Sequence, residues 1–218
     1  MSVAAAYHPA ENGLDGRLNE VDPRLLSYAG DVYSMVWIAP VPAARRAEAE
    51  RLVAVNRGEQ AGFFDRQRRP VPPGRDLIAV LDIVPRSRPN TSALGLALSE
   101  FASAAEALRR AAETQRVAAT APLILVQLPG EKAIVLYAPV RERSGAGTVG
   151  FLGFSYRVKD LVHTLTARET GLGAIRVTDS GVADPASALV FQSAPLAPDA
   201  RVAERELGIG GRTWRIEV

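Results

Sequence analysis

Cysteine is absent from the 218 residues, and histidine occurs only twice. The lack of cysteine excludes disulfides, a cysteine-based metal site and a thiol nucleophile. The two histidines, His8 and His163, have no companion ligands at metal-binding spacing, so the sequence predicts no metal site and no cofactor. No stretch approaches the roughly 18 to 20 apolar residues that a membrane-spanning helix needs. The opening MSVAAAYHPAENG also lacks the basic and apolar regions of a signal peptide.

The composition that remains is ordinary for a folded globular protein. Hydrophobic residues make up 47% and charged residues 23% of the chain, with a net charge of +2. The densest basic run, Arg66 to Arg69, lies among prolines, so we interpret it as a solvated loop and expect no nucleic-acid partner. A chain of this length fits one large domain or two small lobes, and we expect two lobes.

Apolar periodicity predicts several amphipathic helices. Pro42 suits the first turn of a helix and Gly58 its end. Arg46 and Glu50 have the i,i+4 spacing of a helical ion pair. Ser103 with Glu106 has the spacing of a capping box, which would form if the helix begins late in its segment. The predicted helices cover residues 24–38, 43–56, 99–115 and a segment from Val158 towards Gly171.

Apolar runs between these helices predict strands. Leu77–Val84 has the pattern of a central strand that is buried on both faces. Further strands are predicted over residues 122–128, 133–140, 149–157, 174–178, 188–192 and 213–218. Because short turns join neighbouring strands and helices lie between groups of them, the order predicts an α+β fold with antiparallel sheets.

Catalytic motifs are not found. Residues 145–150 match G-x-G-x-x-G, but this run joins two strands instead of leading into a helix, so it predicts a hairpin loop. Ser155 lies in mid-strand and lacks the sharp turn of a nucleophile elbow. Asp76 and Asp82 would lie roughly 20 Å apart on one strand, too far for an acid–base pair. Asp82 alone is costly to bury, so it must face water, an arginine or a ligand.

Five motifs follow one another from Trp37 to Val162. They are WIAPVPAARR, IVPRSRPNTSALGL, AATAPLILVQ, VLYAPV and GFLGFSYRVKDLV. In this order they resemble the CHASE domain, the extracytoplasmic sensory module of histidine kinases, nucleotide cyclases and plant cytokinin receptors. The resemblance implies a long N-terminal helix followed by two PAS-like lobes with antiparallel sheets. We expect a flexible start at 1–23, a helical region at 24–62, a membrane-distal lobe at 63–157 and a membrane-proximal lobe at 158–218.

The resemblance also implies a ligand pocket on the concave sheet of the distal lobe. Apolar walls with a few polar groups suit a small molecule. The positions that match the family's pocket are Leu77, Val80, Asp82, Leu94, Gly95, Thr120, Ala121, Leu123, Leu125, Tyr137 and Phe154. This chain departs from many bacterial members at Asp82-Ile-Val-Pro85 and at Ala97, which speaks against cytokinin as the ligand. Gln115 also replaces the glycine that commonly ends the family's second helix.

The function that the resemblance implies is ligand sensing without catalysis. The chain would be the periplasmic part of an inner-membrane receptor of bacteria, either a histidine kinase or a diguanylate cyclase or phosphodiesterase. It would bind a small molecule, form a homodimer in the full-length receptor and be anchored in the membrane only through segments absent from this sequence. The alternative is a PAS-like structural or protein-interaction module with no small-molecule ligand.

Overall fold

The computed structural model describes residues 14, 18, 30–58, 62–142, 147–167, 173–195 and 202–218. These residues form two antiparallel sheets with helices packed against them, which confirms the predicted α+β class. The first six residues of the predicted N-terminal helix, 24–29, lie outside the described residues. None of the helices in the described ranges combines the length and the apolarity needed to cross a lipid bilayer.

The first sheet contains six strands. They are β1 (Val32–Val41), β2 (Leu77–Val84), β3 (Ala118–Ala119), β4 (Leu123–Ile124), β5 (Lys132–Arg141) and β6 (Thr148–Arg157). Their order is β2-β1-β6-β5-β3, and β4 also pairs with β5. β5 and β6 pair antiparallel, and Glu142 donates its backbone N–H to the Gly147 carbonyl (3.0 Å). The glycine-rich run therefore connects two strands, as predicted, although residues 143–146 lie outside the described residues.

β1 occupies residues for which the sequence predicts a helix. Residues 24–29 of that helix lie outside the described residues, but from Val32 to Ile38 the prediction is wrong, because β1 pairs with β2 on one side and with β6 on the other. Burial is continuous from Ser34 to Ala39. Periodicity cannot separate a strand buried on both faces from a buried helical segment, and the aromatic and β-branched residues here favour the strand.

β2 is buried on both faces as predicted, but it lies at the end of the strand order and not at its centre. A chain segment after β2 covers its outer edge. Val80 donates its backbone N–H to the Leu96 carbonyl (3.1 Å), and Gly95 donates to the Val80 carbonyl (2.9 Å). Since these bonds satisfy backbone groups that an open edge would expose, β2 can be as apolar as an interior strand.

Helices of the first half cover the first sheet. α1 (Arg46–Arg57) follows a 3-10 turn at Ala43–Arg45 and ends at Gly58, whose φ is 79°. Arg46 and Glu50 form the predicted ion pair at 2.9 Å. α2 (Arg88–Thr91) is a single turn, and α3 (Ala102–Thr114) begins after Phe101 without a side-chain cap. The capping box expected for a late start of this helix does not form, because the helix begins at Ala102, Ser103 lies inside it and the Ser103 Oγ has no hydrogen-bond partner.

The second sheet has the order β8-β7-β10-β9. Its strands are β7 (Arg176–Asp179), β8 (Leu189–Gln192), β9 (Glu204–Ile209) and β10 (Arg212–Glu217), and the helices of this half are α4 (Val158–Thr166) and α5 (Pro185–Ala188). Trp214 is buried in its core together with Ile134 of the first sheet. α4 begins at Val158, and β5 contributes different residues to the two cores, Tyr137 to the first and Ile134 to the second. The predicted lobe boundaries stay a prediction.

Leu14 and Leu18 come from the segment expected to be a flexible start. Both are buried in the core of the first sheet. The Trp37 indole N–H donates to the Leu14 carbonyl (3.2 Å), and the Leu18 N–H donates to an Asp82 carboxylate oxygen (3.1 Å). These two leucines thus lie against one face of β1 and β2.

Candidate functional site

The register of the first sheet assigns its residues to two faces. A Cβ on Gly153 would lie 2.6 Å from Val36 and 3.2 Å from Tyr137, whereas a Cβ on Gly150 would lie 2.5 Å from Trp37. Because side chains alternate along a strand, these contacts define a Tyr137 face and a Trp37 face. Leu14 and Leu18 lie on the Trp37 face.

A row of small polar residues crosses the Tyr137 face near one end of the sheet. Ser34 of β1 is the register partner of Ser155 of β6, and Ser155 is the partner of Val135 of β5. Thr120 follows β3 and exchanges bonds with Val135: its N–H donates to the Val135 carbonyl (2.9 Å), and its hydroxyl accepts from the Val135 N–H (3.1 Å). Ser34, Thr120 and Ser155 are all buried.

Tyr137 lies beside this row, two positions further along β5. Its phenol is 3% exposed, and burial alone raises the pKa of Tyr137. The hydroxyl makes no hydrogen bond to any residue that the structure describes. Gly153, its register partner, leaves room for the ring, since any side chain there would collide with Val36 and Tyr137.

Asn90 of α2 lies at the same end of the sheet. Its amide Nδ2 donates to the carbonyl of Pro85 (2.9 Å), which follows the last residue of β2, while its Oδ1 is buried without a partner. Val84 is the register partner of Met35, so Asn90 is placed next to the Ser34 end of β1. We call Ser34, Asn90, Thr120, Tyr137 and Ser155 the polar row.

Asp82, the polar residue that the sequence singles out, lies on the opposite Trp37 face. Its carboxylate pairs with Arg86 at 2.9 Å and accepts the N–H groups of Leu18 and Ile83. Of the predicted environments for Asp82, the structure contains the arginine. Burial raises the pKa of Asp82, and the Arg86 guanidinium opposes that rise only in part.

The remaining predicted positions do not converge on one surface. Leu77 and Phe154 lie on the Trp37 face by their register, while Val80 lies with Ile38 on the Tyr137 face. Leu94 is fully buried, and Gly95 (φ 86°) packs its backbone against Gly62, where a Cβ would come within 2.7 Å of the carbonyl oxygen. Leu123 is buried in β4, Leu125 packs beside the first core, and Ala121 lines a different cleft. Ligand contact by these positions stays a prediction.

Three members of the polar row were not predicted as site residues. Ser34 lies in the segment for which the sequence predicts a helix. Asn90 belongs to a family motif of which only Leu94 and Gly95 were matched to the pocket. Ser155 was considered only as a catalytic serine. Their common signal, a small polar residue inside a stretch that must be buried, becomes visible only when the register places them side by side.

Two open clefts lie between the halves of the molecule. A cleft of about 800 Å³ separates α3 from the second sheet and is lined by Ser103, Arg110, Ala121 and Arg212 among others. A cleft of about 380 Å³ lies between Lys132 and the strand β8. Within the described ranges, no group of three or more histidine, aspartate or glutamate side chains is placed to bind a metal ion.

Comparison with known proteins supports one family. The family model of the CHASE domain matches residues 21–191. The periplasmic sensory domain of the Campylobacter jejuni chemoreceptor Tlp1 is similar in structure, with a TM-score of 0.51, 10% identity and coverage of 99% of this chain and 82% of that one. A methyl-accepting chemotaxis protein gives a TM-score of 0.50 at 13% identity, covering 99% of this chain and 88% of the other.

An extracellular ligand binding receptor from Desulfohalobium retbaense also matches, with a TM-score of 0.51 and 13% identity over 89% of this chain. The chain spans 31% of that receptor structure. No curated protein sequence matches the chain. At these identities the structural similarities show the fold alone.

The chain belongs to the CHASE domain family, which confirms the resemblance carried by its five motifs. It is a sensory domain of a transmembrane receptor, and the domain itself is non-catalytic.

Proposed function

We propose that this domain binds a small molecule at the polar row of its first sheet and that binding regulates the receptor to which it belongs. The observation that carries the proposal is the pair of buried, unpartnered oxygens, Ser34 Oγ and Asn90 Oδ1, at one end of one sheet. Buried polar atoms without partners are rare in folded proteins and are costly. A ligand that bonds to both atoms would remove that cost.

Of the positions expected from the family, Thr120 and Tyr137 belong to the polar row, and Val80 lies on the Tyr137 face of the same sheet. We propose these three as ligand-contacting residues together with Ser34, Asn90 and Ser155. Asp82 has a different role in this proposal: with Trp37 it binds the segment of Leu14 and Leu18 on the opposite face.

The receptor is proposed to be a bacterial inner-membrane histidine kinase, diguanylate cyclase or phosphodiesterase, with this domain in the periplasm. It is proposed to act as a homodimer. The similar fold of the periplasmic domain of the Campylobacter chemoreceptor supports the placement. A ligand would act by favouring one of two arrangements of the receptor, which requires different affinities for the two.

A second candidate function is a structural or protein-interaction module without a small ligand. The observation that favours it is the burial of Val80, Leu94 and Tyr137 within one hydrophobic core, as in a domain filled by its own side chains.

A thermal-shift screen of the purified domain separates the two functions. A ligand at about 100 times its dissociation constant adds roughly 2.7 kcal/mol to the stability. If the domain is a sensor, a compound raises its melting temperature. Tyr137→Phe removes only an unpaired hydroxyl, so it should leave the melting temperature of the free domain unchanged but make the increase caused by the compound smaller.

Tyr156→Phe is the matched control, because Tyr156 is a half-buried tyrosine on the Trp37 face of the same sheet. It should leave the rise unchanged. The interaction module is supported if no compound stabilises the domain, and the assignment of the site is wrong if both tyrosine variants lose the rise equally.

A further inference from the structure

The polar row contains hydroxyl and amide groups and no ionised group. In the described part of the chain, the buried charged residues are Asp82 and Asp179. Asp82 pairs with Arg86 on the Trp37 face, and Asp179 pairs with Arg212 at 2.5 Å in the second sheet. Neither carboxylate is left for a ligand at the polar row.

Arg68, whose side chain reaches the carbonyl of Ser92 close to Asn90 in the chain, is engaged elsewhere. Arg68 donates to the carbonyl of Ser92 (2.7 Å), and its guanidinium stacks over the ring of Phe64 at 4.5 Å. Arg68 is exposed, whereas Ser34 is 0% and Asn90 1% exposed. A ligand that reaches the buried oxygens would therefore leave Arg68 at the rim.

The unpartnered atoms specify the hydrogen bonds that a ligand must make. Asn90 Oδ1 is an acceptor only, so it requires an N–H or O–H of the ligand, while the Ser34 and Tyr137 hydroxyls can donate or accept. A charged group buried at this place would lack an opposite charge, and burying an ion without one is strongly unfavourable.

We infer that the ligand of this site is an uncharged small molecule that carries both hydrogen-bond donors and acceptors, and that Ser34 and Asn90 select it against amino acids, carboxylates and amines. This inference rests on the proposed function. It follows from the absence of ions among the described residues of the polar row and from the two buried oxygens that need partners.

The test sorts a thermal-shift library by charge. Equal numbers of uncharged compounds (amides, nucleobases, nucleosides and sugars) and charged ones (amino acids, carboxylates and polyamines) are measured, including the matched set benzamide, benzoate and benzamidine. We expect stabilisation by uncharged members, with a rise of roughly 5–10 °C at about 100 times the dissociation constant.

Ser34→Ala should abolish most of that rise and leave the melting temperature of the free domain equal or higher, because the removed hydroxyl has no partner. Ser103→Ala is the matched control: its Oγ is also buried without a partner, but it lies in the cleft beside α3. The Ser103→Ala variant should keep the full rise.

Stabilisation by charged compounds alone would overturn the inferred ligand class and leave the proposed sensor intact. No stabilisation by any compound would contradict both. Loss of the rise in Ser103→Ala but not in Ser34→Ala would overturn the role of Ser34 and move the site to the cleft.

Discussion

The backbone N–H of Ala119 donates a 2.9 Å hydrogen bond to the carbonyl of Gly210, and this bond joins the edge of the first sheet to the β9–β10 turn of the second. Ala118, next to Ala119, is the register partner of Tyr137. The contact therefore links a strand at the polar row to the second half of the domain, and it gives a physical route by which a ligand could alter the arrangement of the halves.

Gly210 makes this contact possible, because a Cβ there would lie 2.5 Å from the Ala119 nitrogen. Gly210→Ala is expected to lower the free energy of unfolding by about 1–3 kcal/mol, because the added methyl group forces the backbone segments at Gly210 and Ala119 apart. The same separation should speed hydrogen exchange of the Ala119 amide. Urea unfolding and exchange measurements test this.

Two glycines of the same hairpin are controls. Gly211 also has a positive φ (77°) but no atom within 3.4 Å of its Cβ position, and Gly208 has neither feature. Gly211→Ala should lower the free energy of unfolding only by the cost of the left-handed backbone conformation, about 1 kcal/mol. Gly208→Ala should leave the free energy of unfolding almost unchanged. If Gly210→Ala and Gly211→Ala lower the free energy of unfolding equally, the contact between Gly210 and Ala119 does not contribute to stability.

Arg212 is expected to be essential for stability because it is the partner of a fully buried carboxylate. The side chains of Arg212 and Asp179 are 10% and 0% exposed. Arg212→Leu leaves Asp179 buried without a counter-charge, which costs about 3–5 kcal/mol. Arg215→Leu, in the same strand, breaks an exposed pair with Glu204 at 3.9 Å and should change the free energy of unfolding by less than about 1 kcal/mol. If chemical denaturation shows that Arg212→Leu and Arg215→Leu lower the free energy of unfolding by similar amounts, the buried pair is no more important for stability than the exposed one.

Asp82 should make stability depend on pH in the direction opposite to an ordinary paired carboxylate. Burial raises the pKa of Asp82 in the folded domain, so the folded state binds the proton more tightly than the unfolded state. The stability that this protonation contributes is present below the unfolded pKa of about 3.9. It is lost as the pH rises through the raised folded pKa.

The comparison of wild type with Asp82→Asn isolates this effect, because other carboxylates titrate in both proteins. The free energy of unfolding of wild type relative to the variant should fall as the pH rises from the unfolded pKa through the raised one. A relative stability that instead increases with pH would show that Arg86 lowers the pKa of Asp82 below its ordinary value.

Gln115 adopts a left-handed conformation (φ 54°) at the end of α3, where glycine would be unstrained. Its amide compensates with three bonds: it donates to Ala112 O (2.6 Å) and Thr148 Oγ1 (2.9 Å) and accepts from Arg141 Nε (2.8 Å). Gln115→Ala keeps the strain and loses these bonds, so it should cost about 1–2 kcal/mol. Gln115→Gly should cost less in the same urea titrations, and an equal cost would argue against backbone strain.

Much of the fold could be predicted from the sequence, and each of the two main errors has a physical cause. The hairpin of β5 and β6 follows from two apolar runs separated by a glycine-rich turn, and α1 ends at Gly58 as its sequence indicates. The helix predicted through Met35 and Trp37 is a strand, because burial on both faces removes the alternation that identifies strands. The position of β2 at the sheet edge depends on residues 95–97, whose pairing is a long-range contact.

The candidate site was predictable only in part. Family resemblance pointed to Thr120 and Tyr137, and the cost of burying Asp82 correctly required a partner, which is Arg86. Ser34 and Asn90 could not be predicted, because their lack of partners depends on which strands pair and in what register.

The most direct test of a ligand site at the polar row is hydrogen–deuterium exchange of the domain with and without its most stabilising compound from the screen. We predict the strongest slowing of exchange in peptides that cover residues 33–37, 85–96 and 118–137. Slowing confined to residues 176–217, with the first sheet unchanged, would contradict the site.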